Sequence, residues 1–253
     1  MRLAASLLAV AALGYLALCA VLFFFQRSLI YFPQPGVNKD PASTLQLQVA
    51  DAELAVSVRP GTGPGALIYF GGNAEDVSAS LPAFAQAFPA HAVYLLHYRG
   101  YGASPGSPTE KAIQSDALAL FDHVRKSHAD IALVGRSLGS GVAIQVASQR
   151  PASKLVLVTP YDSLQDLAAG QFPFFPVRWL LMDKFESSKH APQVTVPTLL
   201  IAAAQDEVIP AWSTAQLHAR FGKGLARLEV LPGTSHNTIS LHPDYLPLLR
   251  SML

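Results

Sequence analysis

The sequence predicts an α/β fold with a mainly parallel central sheet and helices on both faces, preceded by one N-terminal transmembrane helix. Short apolar runs alternate with helical patterns of ten to twenty residues, which is typical of parallel strands joined by right-handed crossovers. An apolar run at the N-terminus has the length of a membrane span. The chain of 253 residues is 51% hydrophobic, so one large domain can bury a core.

The N-terminal apolar run extends from Leu3 to Phe25 and is flanked by Arg2 and Arg27. Its 23 residues, at 1.5 Å each, suffice for a hydrocarbon core of roughly 30 Å. A cleaved signal peptide is the alternative, but the run is longer than the roughly 7–15 apolar residues of such a peptide. We therefore predict an uncleaved anchor at residues 1–27 and a folded domain at residues 28–253.

The charges beside the anchor carry almost no orientation signal. Arg2 and the α-amino group stand on one side, and Arg27 and Lys39 stand on the other. The positive-inside rule is therefore nearly balanced. We expect a single-pass membrane protein whose domain lies outside the cytoplasm.

The composition excludes several classes of function. Charged residues make up 14% of the chain and the net charge is +1, without a long basic block, so nucleic acid is not an expected partner. The single cysteine, Cys19, lies in the apolar run. The domain can therefore hold no disulfide, thiolate metal site or cysteine nucleophile, and we expect neither a metal nor a cofactor.

The domain is predicted to contain eight strands and at least four helices. The predicted strands, of which the first two form an antiparallel pair, are Leu45–Val49, Glu53–Val58, Ala66–Phe70, Ala92–His97, Ile131–Val134, Lys154–Val158, Thr198–Ala203 and Ala226–Leu231. Helices are predicted at Asp76–Phe88, Leu138–Gln149 and His242–Leu253. Another is predicted to begin at the capping box Ser107–Glu110, with Pro108 as its first helical residue.

A Gly-x-Ser-x-Gly sequence, Gly135–Gly139, follows the apolar strand Ile131–Val134 directly and opens a helix. A serine on so sharp a strand-to-helix turn needs glycine neighbours, because the backbone is strained and the flanking elements pack closely. The alternative is a serine that only caps the helix. The context favours Ser137 as a nucleophile.

A serine nucleophile needs a base, and the base needs an acid that orients it. Where the serine lies on such a strand-to-helix turn, the acid comes next along the chain and the histidine follows the acid. Asp206 comes just after the strand Thr198–Ala203, and His236 lies in the loop after the last strand. Glu207 and Asp162 are competing candidates for the acid. We predict the triad Ser137, Asp206 and His236.

The oxyanion formed by such a serine needs two N–H donors. One is predicted to be the backbone N–H of Leu138, directly after the nucleophile. The other should come from the loop after Ala66–Phe70, and we assign it to Asn73, with Gly72 as the alternative. A tight turn without this role would also explain the glycines of that loop.

Several motifs together resemble the α/β-hydrolase superfamily over nearly all of residues 26–250, and within it the membrane-anchored bud-emergence-type serine hydrolases. This group includes eukaryotic protein depalmitoylases. The motifs are Phe25–Arg27 with Tyr31–Pro33, Gly72–Glu75, Tyr98–Gly102 with Ser104 and Gly106, Gly135–Gly139, Asp206–Pro210 and Ser235–Asn237. The resemblance implies an α/β-hydrolase catalytic domain at residues 28–253. Two positions depart from the pattern, since Gly71 stands in place of a histidine and His97 in place of an aspartate.

The segment between the strands Lys154–Val158 and Thr198–Ala203 is longer than an ordinary crossover and is rich in aromatic residues. Phe172, Phe174 and Phe175 are therefore candidates for a substrate-binding wall or for a surface that rests on the bilayer. A crossover helix packed into the core is the alternative.

These residues predict hydrolysis of a carboxylic ester or thioester, with a small-molecule or lipid-like acyl substrate and a membrane held through the N-terminal helix. A serine peptidase that acts on short peptides is the first alternative. A non-catalytic, membrane-tethered scaffold is the second, and the presence of all three triad residues argues against it.

Overall fold

An eight-stranded sheet forms the centre of the computed structural model, which describes residues 2–36 and 43–253. In the order along the chain, the strands are β1 Thr44–Gln48, β2 Glu53–Arg59, β3 Gly65–Phe70, β4 Ala92–Leu96, β5 Asp130–Arg136, β6 Lys154–Val158, β7 Thr198–Ala203 and β8 Ala226–Leu231. Their spatial order is β1-β2-β4-β3-β5-β6-β7-β8. Lys39 lies outside the described residues.

The sheet is mainly parallel, as predicted. The strand β2 pairs antiparallel with both β1 and β4, whereas every pairing from β4 to β8 is parallel. The carboxyl ends of the parallel strands therefore meet at one edge of the sheet, where ligand sites of such folds lie.

Nine α-helices occur in the described residues: α1 Arg2–Ile30, α2 Leu81–Ala87, α3 Glu110–Val124, α4 Leu138–Gln149, α5 Leu164–Gln171, α6 Val177–Leu180, α7 Ser187–His190, α8 Ala211–His218 and α9 Tyr245–Met252. They cover both faces of the sheet. In β3, Ile68 and Phe70 pack into the core beneath α3 and α4, while Leu67 and Tyr69 pack into the core beneath α2 and α9. This alternation follows from the two-residue period of a strand.

Three helix starts differ from the sequence prediction. The predicted N-cap at Ser107 is wrong, because Thr109 has the extended backbone of an N-cap and its hydroxyl accepts from the N–H of Ala112 at 3.1 Å. The chain from Asp76 forms a 3-10 turn before α2 begins, because Pro82 cannot donate to the preceding turn. The last helix begins at Tyr245 rather than His242, just after Pro243.

The helix α1 has 29 residues and passes without a break through Arg27 to Ile30. Among the described residues, it is the one helix long and apolar enough to cross a membrane. Most of its side chains are exposed, but Cys19, Gln26 and Ile30 are buried against the domain. The helix is therefore joined to the domain by packing as well as by the chain.

Candidate active site

Ser137 lies on the sharp turn between β5 and α4, with φ 50° and ψ −120°. A non-glycine residue rarely adopts a positive φ, and such strain is concentrated at functional sites. The two glycines of the motif make the turn possible. A Cβ on Gly139 would overlap the carbonyl oxygen of Phe70, and a Cβ on Gly135 would overlap the carbonyl oxygen of Gly139.

The structure brings Ser137, His236 and Asp206 together, although they are far apart in sequence. His236 Nε2 lies 3.0 Å from Ser137 Oγ, and Nδ1 lies 3.0 Å from both carboxylate oxygens of Asp206. Because an ionised carboxylate only accepts, Nδ1 carries the proton and Nε2 is free to accept from the serine hydroxyl. The side chains of His236 and Asp206 are 8% and 7% exposed.

The carboxyl group of Asp206 is held in its ionised form. Burial alone would raise its pKa, but the hydrogen bond with His236 and the backbone N–H groups of Ile209 and Val208 lower the pKa below its usual value. These two N–H groups donate to Oδ1 at 2.7 and 2.9 Å. Asp206 therefore carries the negative charge that orients an imidazole and stabilises an imidazolium.

The two competing acids serve other contacts. Glu207 Oε2 accepts from the backbone N–H of His236 at 3.1 Å. The carboxylate of Asp162 accepts from Ser213 Oγ at 2.6 Å and from the N–H of Ser163 at 2.8 Å, and burial raises its pKa. Among the hydrogen bonds of the described residues, neither carboxylate contacts the ring of His236.

Two backbone N–H groups beside Ser137 have no acceptor among the described residues. They belong to Leu138, at the start of α4, and to Asn73, and both residues border the same cavity as Ser137. Asn73 is held in place because its side chain donates to the carbonyl of Ile30 at 2.9 Å and its own carbonyl accepts from Tyr101 Oη at 2.5 Å. The alternative donor, Gly72, gives its N–H to Glu75 Oε2 at 2.9 Å.

Several known proteins resemble this chain in sequence or in fold. An uncharacterized protein of Mycobacterium tuberculosis is 35% identical over 231 residues, which cover 84% of this chain and 80% of that protein. Protein bem46 of Schizosaccharomyces pombe is 26% identical over 266 residues, or 92% and 87% of the two chains. The family model described as serine aminopeptidase, S33, matches residues 65–187.

The chain belongs to the α/β-hydrolase family. The match to bem46 confirms the resemblance to bud-emergence-type hydrolases. The fold agrees with that of the Pyrococcus furiosus esterase Pf2001, with a TM-score of 0.69 at 16% identity over 88% of this chain and 96% of that chain. At this identity the likeness shows the fold alone.

A partly buried ion pair near the active site of this hydrolase was not predicted from the sequence. Glu75 accepts from the N–H of Gly72 and from Tyr69 Oη at 2.7 Å, and Arg136 Nη1 lies 3.5 Å from its carboxylate. Arg136 Nη2 also lies 3.4 Å from the carbonyl oxygen of His236. The pair thus connects the three segments that carry Asn73, Ser137 and His236. The only sequence signal was a charged residue within each of two motifs, Gly72–Glu75 and Gly135–Gly139.

The two departures from the family pattern have local explanations. A Cβ on Gly71 would lie 2.5 Å from Val77 Cγ1, so Val77 fills the space that a side chain there would need. His97 is buried at the end of β4, and its Nε2 lies 2.9 Å from Ser57 Oγ. His97 does not border the cavity beside Ser137.

A cavity of about 430 Å³ adjoins Ser137. Its lining is mostly aliphatic and aromatic and comes from three sources: α1, the loops around Ser137, and the segment from Leu164 to Asp183, which we call the cap segment. Phe172 and Phe175 border this cavity. Phe174 does not border it, and 85% of its surface is exposed.

Proposed function

We propose that this hydrolase cleaves a carboxylic ester or thioester with a hydrophobic acyl group, while α1 holds it in a membrane. Ser137 Oγ attacks the carbonyl carbon as His236 Nε2 takes the hydroxyl proton. Asp206 keeps the imidazole oriented and stabilises its positive charge. The backbone N–H groups of Leu138 and Asn73 donate to the oxyanion of the tetrahedral intermediate.

The remaining steps return the enzyme to its starting state. The protonated His236 gives its proton to the leaving alcohol or thiol as the tetrahedral intermediate collapses to an acyl-enzyme. Water, deprotonated by His236, then attacks the acyl carbon and releases the carboxylic acid, and Ser137 regains its proton. These steps balance without a cofactor.

The observation that carries the proposal is the apolar cavity beside Ser137. An acyl chain bound to the serine can lie against the apolar side chains of Phe172, Phe175 and Leu164, which border this cavity. Burial of hydrocarbon stabilises the bound state by about 25 cal/mol per Å². A hydrophobic acyl group therefore fits this cavity better than a charged one.

A serine aminopeptidase is the second candidate, because the matching family model bears that description. Such an enzyme must bind the positively charged α-amino group of its substrate, and an aspartate or glutamate is the usual partner for that charge. Among the described residues, no carboxylate borders the cavity beside Ser137. The cavity therefore favours the ester or thioester reaction.

A fluorophosphonate probe tests the nucleophile. The full-length protein in detergent should be labelled, whereas Ser137→Ala should not be labelled. Ser140→Ala is the matched control, since Ser140 is fully buried one helical turn away and its hydroxyl has no hydrogen-bond partner among the described residues. Equal labelling of the Ser137→Ala variant would contradict the assignment.

A substrate panel then separates the reactions. We expect p-nitrophenyl esters and acyl thioesters to be hydrolysed and aminoacyl amides to be cleaved far more slowly, because the cavity offers no partner for an α-amino group. Faster cleavage of the amides would favour the peptidase. The absence of both labelling and turnover would favour the scaffold.

A further inference from the structure

One stripe of α1 is covered by protein along much of the helix. Cys19, Gln26 and Ile30 are buried, and Leu22 and Leu29 border the cavity beside Ser137. These residues recur at spacings of three and four and therefore share one face of the helix. The other faces of the helix are exposed, and Leu13, for example, is 67% exposed.

The cap segment is fastened to this stripe at two levels. Near the C-terminus of α1, the side-chain amide of Gln26 donates to the carbonyl of Leu180 at 3.1 Å and accepts from the N–H of Met182 at 2.7 Å. Nearer the middle of the helix, Tyr15 Oη donates to the carbonyl of Phe174 at 2.9 Å.

These two levels lie at different depths of an anchored helix. Gln26 and Arg27 are the first strongly polar side chains after the apolar run, so they belong at the surface of the hydrocarbon layer. Tyr15 precedes Gln26 by eleven residues, which is about 16 Å along a helix. The part of the cap segment beside Tyr15 therefore lies at hydrocarbon depth when α1 spans a bilayer.

The exposed surface of the cap segment matches that depth. Phe174 and Trp179 are 85% and 88% exposed, and both are large and apolar. Such side chains in water would form an exposed apolar patch beside an apolar helix, and in a bilayer they are solvated by lipid. The contact of the cap with α1 places this surface beside the lipid-facing sides of the helix.

We infer that α1 and the cap segment together form the acyl site, and that the acyl chain of a membrane-resident ester or thioester enters it from the hydrocarbon layer. The inference rests on the proposed function. The wall supplied by α1 runs from Ile30, beside Asn73, to Leu22, a distance of about 12 Å along the helix. Among the residues of α1 that border the cavity, Leu22 lies farthest from Ile30, so it bounds the far end of the wall that α1 supplies and limits the length of chain along it.

Filling the far end of the site tests this wall. In full-length protein, Leu22→Trp should lower kcat/KM for p-nitrophenyl dodecanoate by about tenfold or more, because a large side chain excludes methylene groups from a fitted pocket. Hydrolysis of p-nitrophenyl acetate should change little. Leu13→Trp is the matched control, since it makes the same change on the opposite side of α1 and should leave both rates unaltered.

A spectroscopic experiment tests the position of the cap without any catalysis. The protein has two tryptophans, so Trp212→Phe leaves Trp179 as the single reporter. We expect its emission to be quenched in phosphatidylcholine vesicles with brominated acyl chains, relative to vesicles without bromine. Unquenched emission together with full quenching by aqueous iodide would overturn the position in the bilayer.

The possible failures are distinguishable. If wild type hydrolyses the acetate ester and Leu22→Trp lowers the rates for both chain lengths equally or lowers neither, the acyl wall is wrong and the proposed function stands. If wild type hydrolyses neither an ester nor a thioester, both are wrong. A chain-length shift in Leu22→Trp with quenching of Trp179 supports the inference.

Discussion

The two sides of Ser137 are built in opposite ways. On one side, His236 and Asp206 are fixed by hydrogen bonds of 2.7–3.1 Å from loops that directly follow strands. On the other side, α1 and the cap segment line the cavity mainly with apolar side chains. In the proposed reaction, the polar side determines which bond can be broken, whereas the apolar side determines which acyl group reaches it. The two sides should therefore respond differently to substitution.

The largest effect is expected on the polar side, from Asp206→Asn. The backbone N–H groups of Val208 and Ile209 keep the amide oxygen of the variant as their acceptor, so its NH2 group faces Nδ1 and donates to it. The imidazole therefore adopts the tautomer whose Nε2–H faces Ser137, and Nε2 cannot take a proton. By analogy with other triads we expect kcat for a short ester to fall by about 10⁴-fold. Steady-state hydrolysis of p-nitrophenyl acetate by wild type and by the variant measures this fall in kcat.

Glu207→Gln is the matched control for this prediction. It also neutralises a carboxylate, but the remaining amide oxygen can still accept from the N–H of His236. We expect kcat to fall by less than about tenfold, since the ring contact to Asp206 is kept. A fall as large as that of Asp206→Asn would show that Glu207 shares the orienting role.

The polar side could be predicted from the sequence because its residues follow strands. Ser137, Asp206 and His236 each come just after an apolar run, and the carboxyl ends of parallel strands meet at one edge of the sheet. The order of the motifs then limits the choice of partners. The pair of Glu75 and Arg136 escaped prediction because the approach of two charges 61 residues apart depends on tertiary packing.

The apolar side could be predicted only in part, for the same reason. A run of 23 apolar residues indicates a membrane span, but nothing in its composition indicates which face of α1 borders a cavity. Phe172, Phe174 and Phe175 look alike in the sequence, and only packing separates Phe172 and Phe175 from the exposed Phe174. Hydrophobic periodicity predicts which face of a helix is buried, but not which part of the protein that face contacts.

A smaller effect is therefore expected on the apolar side, from Phe175→Ala. The loss of a large side chain that borders the cavity and stacks on Tyr15 should lower kcat/KM for a dodecanoyl ester by about ten- to a hundredfold. The acetyl ester should be hydrolysed at nearly the wild-type rate. Phe174→Ala is the control, and a chain-length effect as large as that of Phe175→Ala would contradict the placement of the wall.

The smallest effect concerns His97, which shows that burial alone does not give a histidine the role of His236. Its partner is the hydroxyl of Ser57 rather than a carboxylate, and burial lowers its pKa below the usual value, although the charge of Asp76 opposes this. Between the usual pKa of about 6.5 and the lower folded value, the unfolded chain binds the proton more readily than the folded protein does. The free energy of unfolding should therefore decrease as the pH falls below about 6.5.

Denaturant unfolding of detergent-solubilised protein at pH 7.5 and 5.5 measures this decrease. The His97→Gln variant should show a smaller decrease, because the other titrating groups are common to both proteins. An identical decrease in the two proteins would contradict the assignment, and ester hydrolysis by His97→Gln at pH 7.5 should remain close to that of wild type.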